Sequence, residues 1–149
     1  MRAVVQRVST AQVEVDQQTT GAIAEGLLVL LGVHRADTEK DLTWMVEKIQ
    51  HLRIFEDDQG LMNRSLTDIK GELLVVSQFT LYGDCRKGRR PSWNEAAPPE
   101  LARSLYDQFI DCCRLRNIPV QAGVFQAMMQ VSLTNSGPVT ILLDSHKTF

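Results

Sequence analysis

Cysteine is scarce in this chain of 149 residues. There are three, Cys85, Cys112 and Cys113, and the adjacent pair cannot easily bridge each other. A disulfide framework is thereby excluded, and a reducing, cytoplasmic setting is expected. No apolar run approaches the ~18 residues that a spanning helix needs, and no signal peptide opens the chain, so no membrane partner is expected. A surplus of positive charge is missing too. Against 18 Asp and Glu stand 16 Lys and Arg, a net charge of -2, which removes any global pull towards nucleic acid and leaves DNA an unexpected partner. Histidine is as rare as cysteine: His34, His51 and His146 read as surface residues. No cysteine and histidine stand at metal-ligand spacing, so neither a metal nor another cofactor is expected. There is no G-x-S-x-G elbow, and Gly83 and Gly88 do not make a phosphate loop. The chain shows no nucleophile paired with a base.

What is present is an ordinary core. Hydrophobic residues form 44% of the chain, and its length suits one domain over residues 1–149. Ala3 to Val8 reads as a strand. Ala11, Val13 and Val15 alternate with Gln12 and Glu14, Asp16-Gln17-Gln18 turns, and Thr19 to Ala24 returns as the second arm of a hairpin. Leu27 to Val33 is an unbroken apolar run and reads as a central strand. The period then changes. Leu42, Met45, Val46, Ile49 and Leu52 form one helical face, with Asp37 or Thr38 as N-cap and acidic Glu39 and Asp41 in the first turn. Leu61 to Ser65 reads as a short edge segment and Glu72 to Leu81 as a strand. Pro98-Pro99 opens a second helix that runs to about Arg116, with Leu101, Leu105, Phe109 and Cys112 on its inner face. Val120 to Phe125, Met128 to Thr134 and Val139 to Asp144 are the last strands. Strands dominate and two helices are inserted. The expected fold is α/β of the α+β type: a mainly antiparallel, barrel-like β-sheet with two packed helices outside it.

Three stretches carry the candidate chemistry. Ser77-Gln78-Phe79-Thr80-Leu81 closes the most apolar strand and offers two hydroxyls, an amide and backbone N–H groups, which can hold a carbonyl, an oxyanion or a water. Ser and Thr are also common in strands for packing reasons alone. Leu133-Thr134-Asn135-Ser136-Gly137-Pro138-Val139-Thr140 interrupts two strands with a Gly-Pro pair. Gly loses the most backbone freedom on folding and Pro removes a ladder donor, so the pair makes a pre-set piece of backbone whose carbonyls can be aimed. Arg86-Lys87-Gly88-Arg89-Arg90 puts four cations within five residues, flanked by Tyr82 and Trp93. Such a loop can neutralise phosphates while the aromatics stack on unpaired bases, or it can be a solvated surface loop. The first two stretches read as one site that the rest of the chain holds.

With these residues the chain closely resembles the D-aminoacyl-tRNA deacylases, also called D-tyrosyl-tRNA deacylases. The likeness runs from Met1-Arg2-Ala3-Val4-Val5-Gln6-Arg7-Val8 along the whole length, carried mostly by Ser77-Gln78-Phe79-Thr80-Leu81 and Asn135-Ser136-Gly137-Pro138-Val139-Thr140, with Lys87-Gly88-Arg89-Arg90-Pro91-Ser92-Trp93 in support. The resemblance implies a homodimer with active sites at its interface. It implies a cis Gly137-Pro138 peptide that reaches from one subunit into the pocket of the other. It also implies cleavage of the ester between a D-amino acid and the terminal adenosine of tRNA. Phe79 and Thr80 would lie beside the scissile carbonyl, and Ser77 and Gln78 would hold the adenosine. Arg7, Met129 and Asn135 would be supporting residues, and Arg86, Lys87, Arg89 and Arg90 would meet the tRNA acceptor end.

On this reading the chirality filter is a rigid wall made by the carbonyls of Gly137 and Pro138, which excludes an L side chain. Glycyl-tRNA, with no side chain to exclude, is then also expected to be cleaved. Three rivals stand beside it: a non-catalytic tRNA-binding module, an esterase using Ser77 or Thr80 with a histidine, and a structural oligomer with Gly137-Pro138 as an interface turn.

Overall fold

A computed structural model describes residues 1–149. The organising strand is β1 (Arg2–Val15). Along one edge its first half pairs antiparallel with β3 (Gly26–Gly32), and its second half with β2 (Gln18–Ile23). Along the other edge it pairs antiparallel with β8 (Gln130–Asp144). β3 then pairs with β6 (Glu72–Ser77), and β6 with β7 (Val120–Ala122), and both of these ladders are parallel.

The sheet is therefore mixed, which corrects the mainly antiparallel expectation. The reason lies in the helices. α1 (Glu39–His51) falls in the connection from β3 to β6, and α2 (Pro99–Leu115) in the connection from β6 to β7. A parallel neighbour needs a long crossover, which a helix supplies. Read as insertions, the helices gave no hint of this. A separate ribbon, β4 (Phe55–Glu56) with β5 (Met62–Arg64), also lies between α1 and β6.

The sheet curls until β2 meets β7. A Cβ added at Gly21 would sit 3.0 Å from the Ala122 carbonyl oxygen, so the missing side chain eases the close approach. Two apolar clusters result. The larger one lies between the sheet and the helices, with Val5, Val29, Leu31, Met45, Ile49, Leu73 and Phe109 fully buried. The smaller fills the concave side with Val8, Ala11, Val13, Ile23, Leu28, Leu74 and Val76.

Both helices form where their periodicity places them. Thr38 caps α1: its amide and its hydroxyl both donate to the Asp41 carboxylate at 2.9 Å. Asp37, the alternative cap, is buried instead. Leu105, Tyr106, Phe109, Ile110 and Cys113 form the buried face of α2. Cys113 takes the place expected of Cys112, which is only half-buried. Asn117 ends the helix region with φ 61°, a left-handed residue of the kind that terminates helices.

Candidate active site

β6 ends sooner than its apolar run implies. Ser77 is its last residue, paired with Leu31, and the chain then tightens into a 3₁₀ turn, Phe79–Tyr82. The turn lies on the end of β3, where a Cβ at Gly32 would meet the Gln78 carbonyl oxygen at 3.0 Å and Leu81 Cβ at 3.2 Å. At its two ends the Leu81 amide donates to the Gln78 carbonyl (3.3 Å) and the Gly83 amide to the Thr80 carbonyl (2.9 Å). The Phe79 and Thr80 amides take no partner, and both residues are exposed. The Gln78 side-chain amide bonds the Thr80 hydroxyl. Phe79 meets Trp93 edge to face, with ring centroids 5.2 Å apart. Hydroxyls, an amide side chain, two free N–H groups and an aromatic face thus share one exposed turn.

β8 carries the second motif in an unusual way. Gln6 pairs with Thr140 and Val8 with Asn135, so Ser136, Gly137, Pro138 and Val139 all stand opposite Arg7 alone. The four residues leave the ladder as an excursion, and Gly137-Pro138 is a cis peptide at its exposed tip. Asn135 closes its neck. The Val139 amide donates to Asn135 Oδ1 at 2.8 Å, and Asn135 Nδ2 donates to the Val139 carbonyl at 3.1 Å and Thr140 Oγ1 at 3.2 Å. Buried Arg7 fills the space beneath. Its Nε donates to the Ser136 carbonyl at 3.0 Å and its Nη1 to the Ile54 carbonyl at 2.6 Å. Gly137 has φ +124°, and a Cβ there would lie 2.7 Å from Arg7 Nη2 and 2.9 Å from Val139 Cγ2. Arg7 and Asn135, expected as supporting residues, thus lie beneath this excursion and at its neck.

A single chain does not bring the two motifs together. Arg7 aligns with Leu27, and Leu27 with Leu73, four residues before Ser77 on β6. That is roughly 13 Å along the strands at ~3.3 Å per residue, in addition to the three ladder spacings between β8 and β6. Met129 is better placed: it packs against the concave cluster, with its sulfur so close to Gly123 that a Cβ there would sit 2.6 Å away, and the Gly123 amide bonds the Val75 carbonyl at 3.0 Å. Beyond the 3₁₀ turn, the concave face exposes Leu142 by 59%, beside half-buried Val4 and Leu30. β8 leaves its outer edge unpaired.

The basic loop is a narrow excursion closed by Asp84 and Ser92, which exchange two backbone bonds of 2.9 Å. Its cations are not equivalent. Arg86 is held by Asp84 through Nε at 2.9 Å and Nη2 at 2.7 Å, and these bonds keep the Asp84 carboxyl down at about 2. Lys87, Arg89 and Arg90 are exposed and make no ion pair.

The histidines divide as well. His51 and His146 are exposed, but His34 is half-buried and meets Glu95 at 2.8 Å, unlike the surface residue expected from sequence. His34, Asp37 and His146 bring three possible ligand atoms within 4.8 Å of one another. Their atoms are engaged, however. Asp37 Oδ1 accepts from the Met1 ammonium at 2.6 Å and faces His146 Nε2 at 3.0 Å, and Oδ2 accepts from the His34 amide at 2.6 Å. The group is a hydrogen-bonded brace between the first strand, α1 and the tail. Sequence reasoning missed it, because nothing in the spacing of residues 1, 37 and 146 links them.

The family model described as D-Tyr-tRNA(Tyr) deacylase matches residues 4–144. A protein of Kosmotoga olearia called D-aminoacyl-tRNA deacylase is 62% identical over 149 residues, covering all of both chains. One of the same name from Thermosipho africanus is 60% identical, again over both chains entire. Among solved structures, one titled c-Myc DNA Unwinding Element Binding Protein superposes with a TM-score of 0.92 at 44% identity, covering 97% of this chain and 98% of its own. Another, described as a probable eukaryotic D-amino acid tRNA deacylase, has a TM-score of 0.81 at 19% identity over 95% and 97%, a likeness of fold.

Proposed function

The chain belongs to the D-Tyr-tRNA(Tyr) deacylase family, and from that footing we infer that it hydrolyses the ester of D-aminoacyl-tRNA, releasing the D-amino acid and tRNA. The finer reading is a homodimer, acting in the cytoplasm without a cofactor, in which each site joins the Ser77–Thr80 turn of one subunit to the Gly137-Pro138 tip of the other. One observation carries it: the strand register holds the two motifs apart within a protomer. A second copy over the concave face would cover Leu142 and Phe79, both more than half exposed.

The residues favour catalysis by placement. An aminoacyl ester is already activated, and holding it in one pose removes much of the remaining barrier. The free Phe79 and Thr80 amides would receive the carbonyl oxygen as it gains charge, one such donor contributing about 3 kcal/mol. Water would add to the carbonyl carbon. As the bond to the ribose 3′-oxygen breaks, the adjacent 2′-hydroxyl would take the water's proton and hand its own to the departing oxygen. No side chain becomes covalently attached, in keeping with the lack of a nucleophile–base pair. Ser77 and Gln78 would hold the terminal adenosine.

Specificity would rest on exclusion. The Gly137 and Pro138 carbonyls, fixed from below by Arg7, would accept the substrate ammonium and leave no room for an L side chain. Glycyl-tRNA would then be cleaved as well, and many D side chains accepted. The test is to follow hydrolysis of matched D- and L-aminoacyl-tRNA, with and without chelator, beside glycyl-tRNA. Loss of the D ester and of glycyl-tRNA, unaffected by chelator, is the expected result. Equal loss of the L ester would remove the wall, and binding without turnover would leave only a tRNA-binding module.

A further inference from the structure

The Phe79–Tyr82 turn closes loosely at its start, where the Leu81 amide reaches the Gln78 carbonyl at 3.3 Å. Something outside must fix the direction of its free amides. Buried Tyr82 anchors its last residue by packing rather than by bonding: the phenol oxygen has no partner, and the ring lies 5.2 Å from His34. The turn's one side-chain hydrogen bond from another element comes from the second residue of the chain. Arg2 Nη1 donates to the Leu81 carbonyl at 3.1 Å, and its guanidinium covers the Tyr82 ring, 4.7 Å from the centroid.

The same guanidinium is held from the other side by the C-terminal tail. Nε faces Asp144 Oδ2 at 3.3 Å, Nη2 faces Thr148 Oγ1 at 3.4 Å, and the Phe149 ring lies 5.5 Å away. Asp144 is itself buried; burial raises its pKa, but bonds from the Thr148 hydroxyl, the His146 amide and Arg2 hold it below the usual carboxylate range. Only a planar fork can serve two acceptors at a fixed angle while stacking on an aromatic face. An ammonium cannot.

We propose that Arg2 is a positioning residue for ester hydrolysis: braced by Asp144 and the tail residues Thr148 and Phe149, it fixes the Leu81 carbonyl and so the aim of the Phe79 and Thr80 amides. The inference rests on the deacylase reading of that turn. It extends the site to residues near both ends of the chain.

Two readouts on Arg2→Gln and Arg2→Lys test it, namely amide exchange along residues 72–83 and the split of kcat from KM with D-aminoacyl-tRNA. In Arg2→Gln the Leu81 and Gly83 amides should exchange about tenfold faster while β6 keeps its protection, and kcat should fall at least about tenfold with KM within about twofold. Arg2→Lys, which keeps the charge and one donor, should recover part of kcat. Removing the tail braces by Thr148→Ala with Phe149→Ala should move the same amides in the same direction, which keeps the test open if Arg2→Gln folds poorly. Unchanged exchange at Leu81 and Gly83, or exchange that rises equally throughout β6, would overturn the proposal. A wild-type protein that leaves the ester intact while exchange responds as expected would defeat the deacylase reading and leave the brace standing.

Discussion

Arg7 Nε donates to the Ser136 carbonyl at 3.0 Å, and that single residue of β1 stands opposite four residues of β8. Arg7 serves two carbonyls from two separate nitrogens, Nε and Nη1, a spacing that the single nitrogen of a lysine cannot reproduce. Arg7→Lys should therefore leave a buried acceptor unpaired, costing about 1–3 kcal/mol. Melting curves and paired D and L rates check it, with an expected fall of about tenfold or more in the D/L ratio. A lower melting temperature with an unchanged ratio would separate Arg7 from specificity.

Gly137→Ala meets Arg7 Nη2 at 2.7 Å and sits at φ +124°. It should lose about 1–3 kcal/mol and discriminate poorly between hands. Mixed and refolded with Thr80→Ala protein, it should regain D-specific hydrolysis above either parent. Only a site shared between subunits can do this, because the hybrid holds one intact combination. Activity equal to the mean of the parents would place both motifs in one protomer.

Ser77→Ala and Thr80→Ala should slow hydrolysis by at most about a hundredfold, far from the ~10⁶ that removal of a nucleophile costs. Single-turnover rates at saturating enzyme decide this. Complete loss with tRNA still bound would make one of the hydroxyls a nucleophile.

Within the basic loop, Arg86 is neutralised by Asp84 while Lys87, Arg89 and Arg90 are free. Arg89→Glu and Arg90→Glu should weaken tRNA binding and flatten its dependence on salt, and Arg86→Ala should do so much less. Titrations at several salt concentrations measure the slope. Equal effects at all three positions would mean that the Asp84 pair opens on binding.

Acid should weaken the fold through Asp41. Burial alone would raise its pKa, but the Thr38 amide, the Ser145 and Thr38 hydroxyls and the Met1 ammonium outweigh it and hold it at about 2. A carboxyl depressed in the folded state stabilises above its unfolded value near ~4, and that stability is lost as pH falls towards about 2. Melting temperature should drop across this window in wild type and less steeply in Asp41→Asn.

Much of the fold was legible because it repeats. The α1 face of Leu42, Met45, Val46 and Ile49 is buried as its spacing requires, and the hairpin of β1 and β2 follows its alternation. The parallel ladders were not legible: Leu27–Val33 and Leu73–Val76 are apolar throughout, which marks burial on both faces but does not name a neighbour. The end of β6 was misjudged because Phe79 and Leu81 continue its apolar pattern in a turn. The Gly137-Pro138 stretch announced itself by composition. Its support did not, since the bonds from Arg7 to Ser136 and Ile54 join residues far apart in the chain.

The β8 excursion also acts on the strand that contains it. Before it Val131 faces the concave cluster, whereas Val139 at its end and Ile141 and Leu143 after it face the helices. Odd-numbered side chains change sides because three residues more than the partner supplies are spent opposite Arg7. The tip is thus a phase shifter in the hydrophobic code of the strand. Its length can change by two residues without consequence for the flanks, whereas gain or loss of one would turn half of β8 inside out. The segment proposed to read substrate handedness also sets which way its own strand faces, so insertions and deletions there are filtered by folding before they are filtered by function.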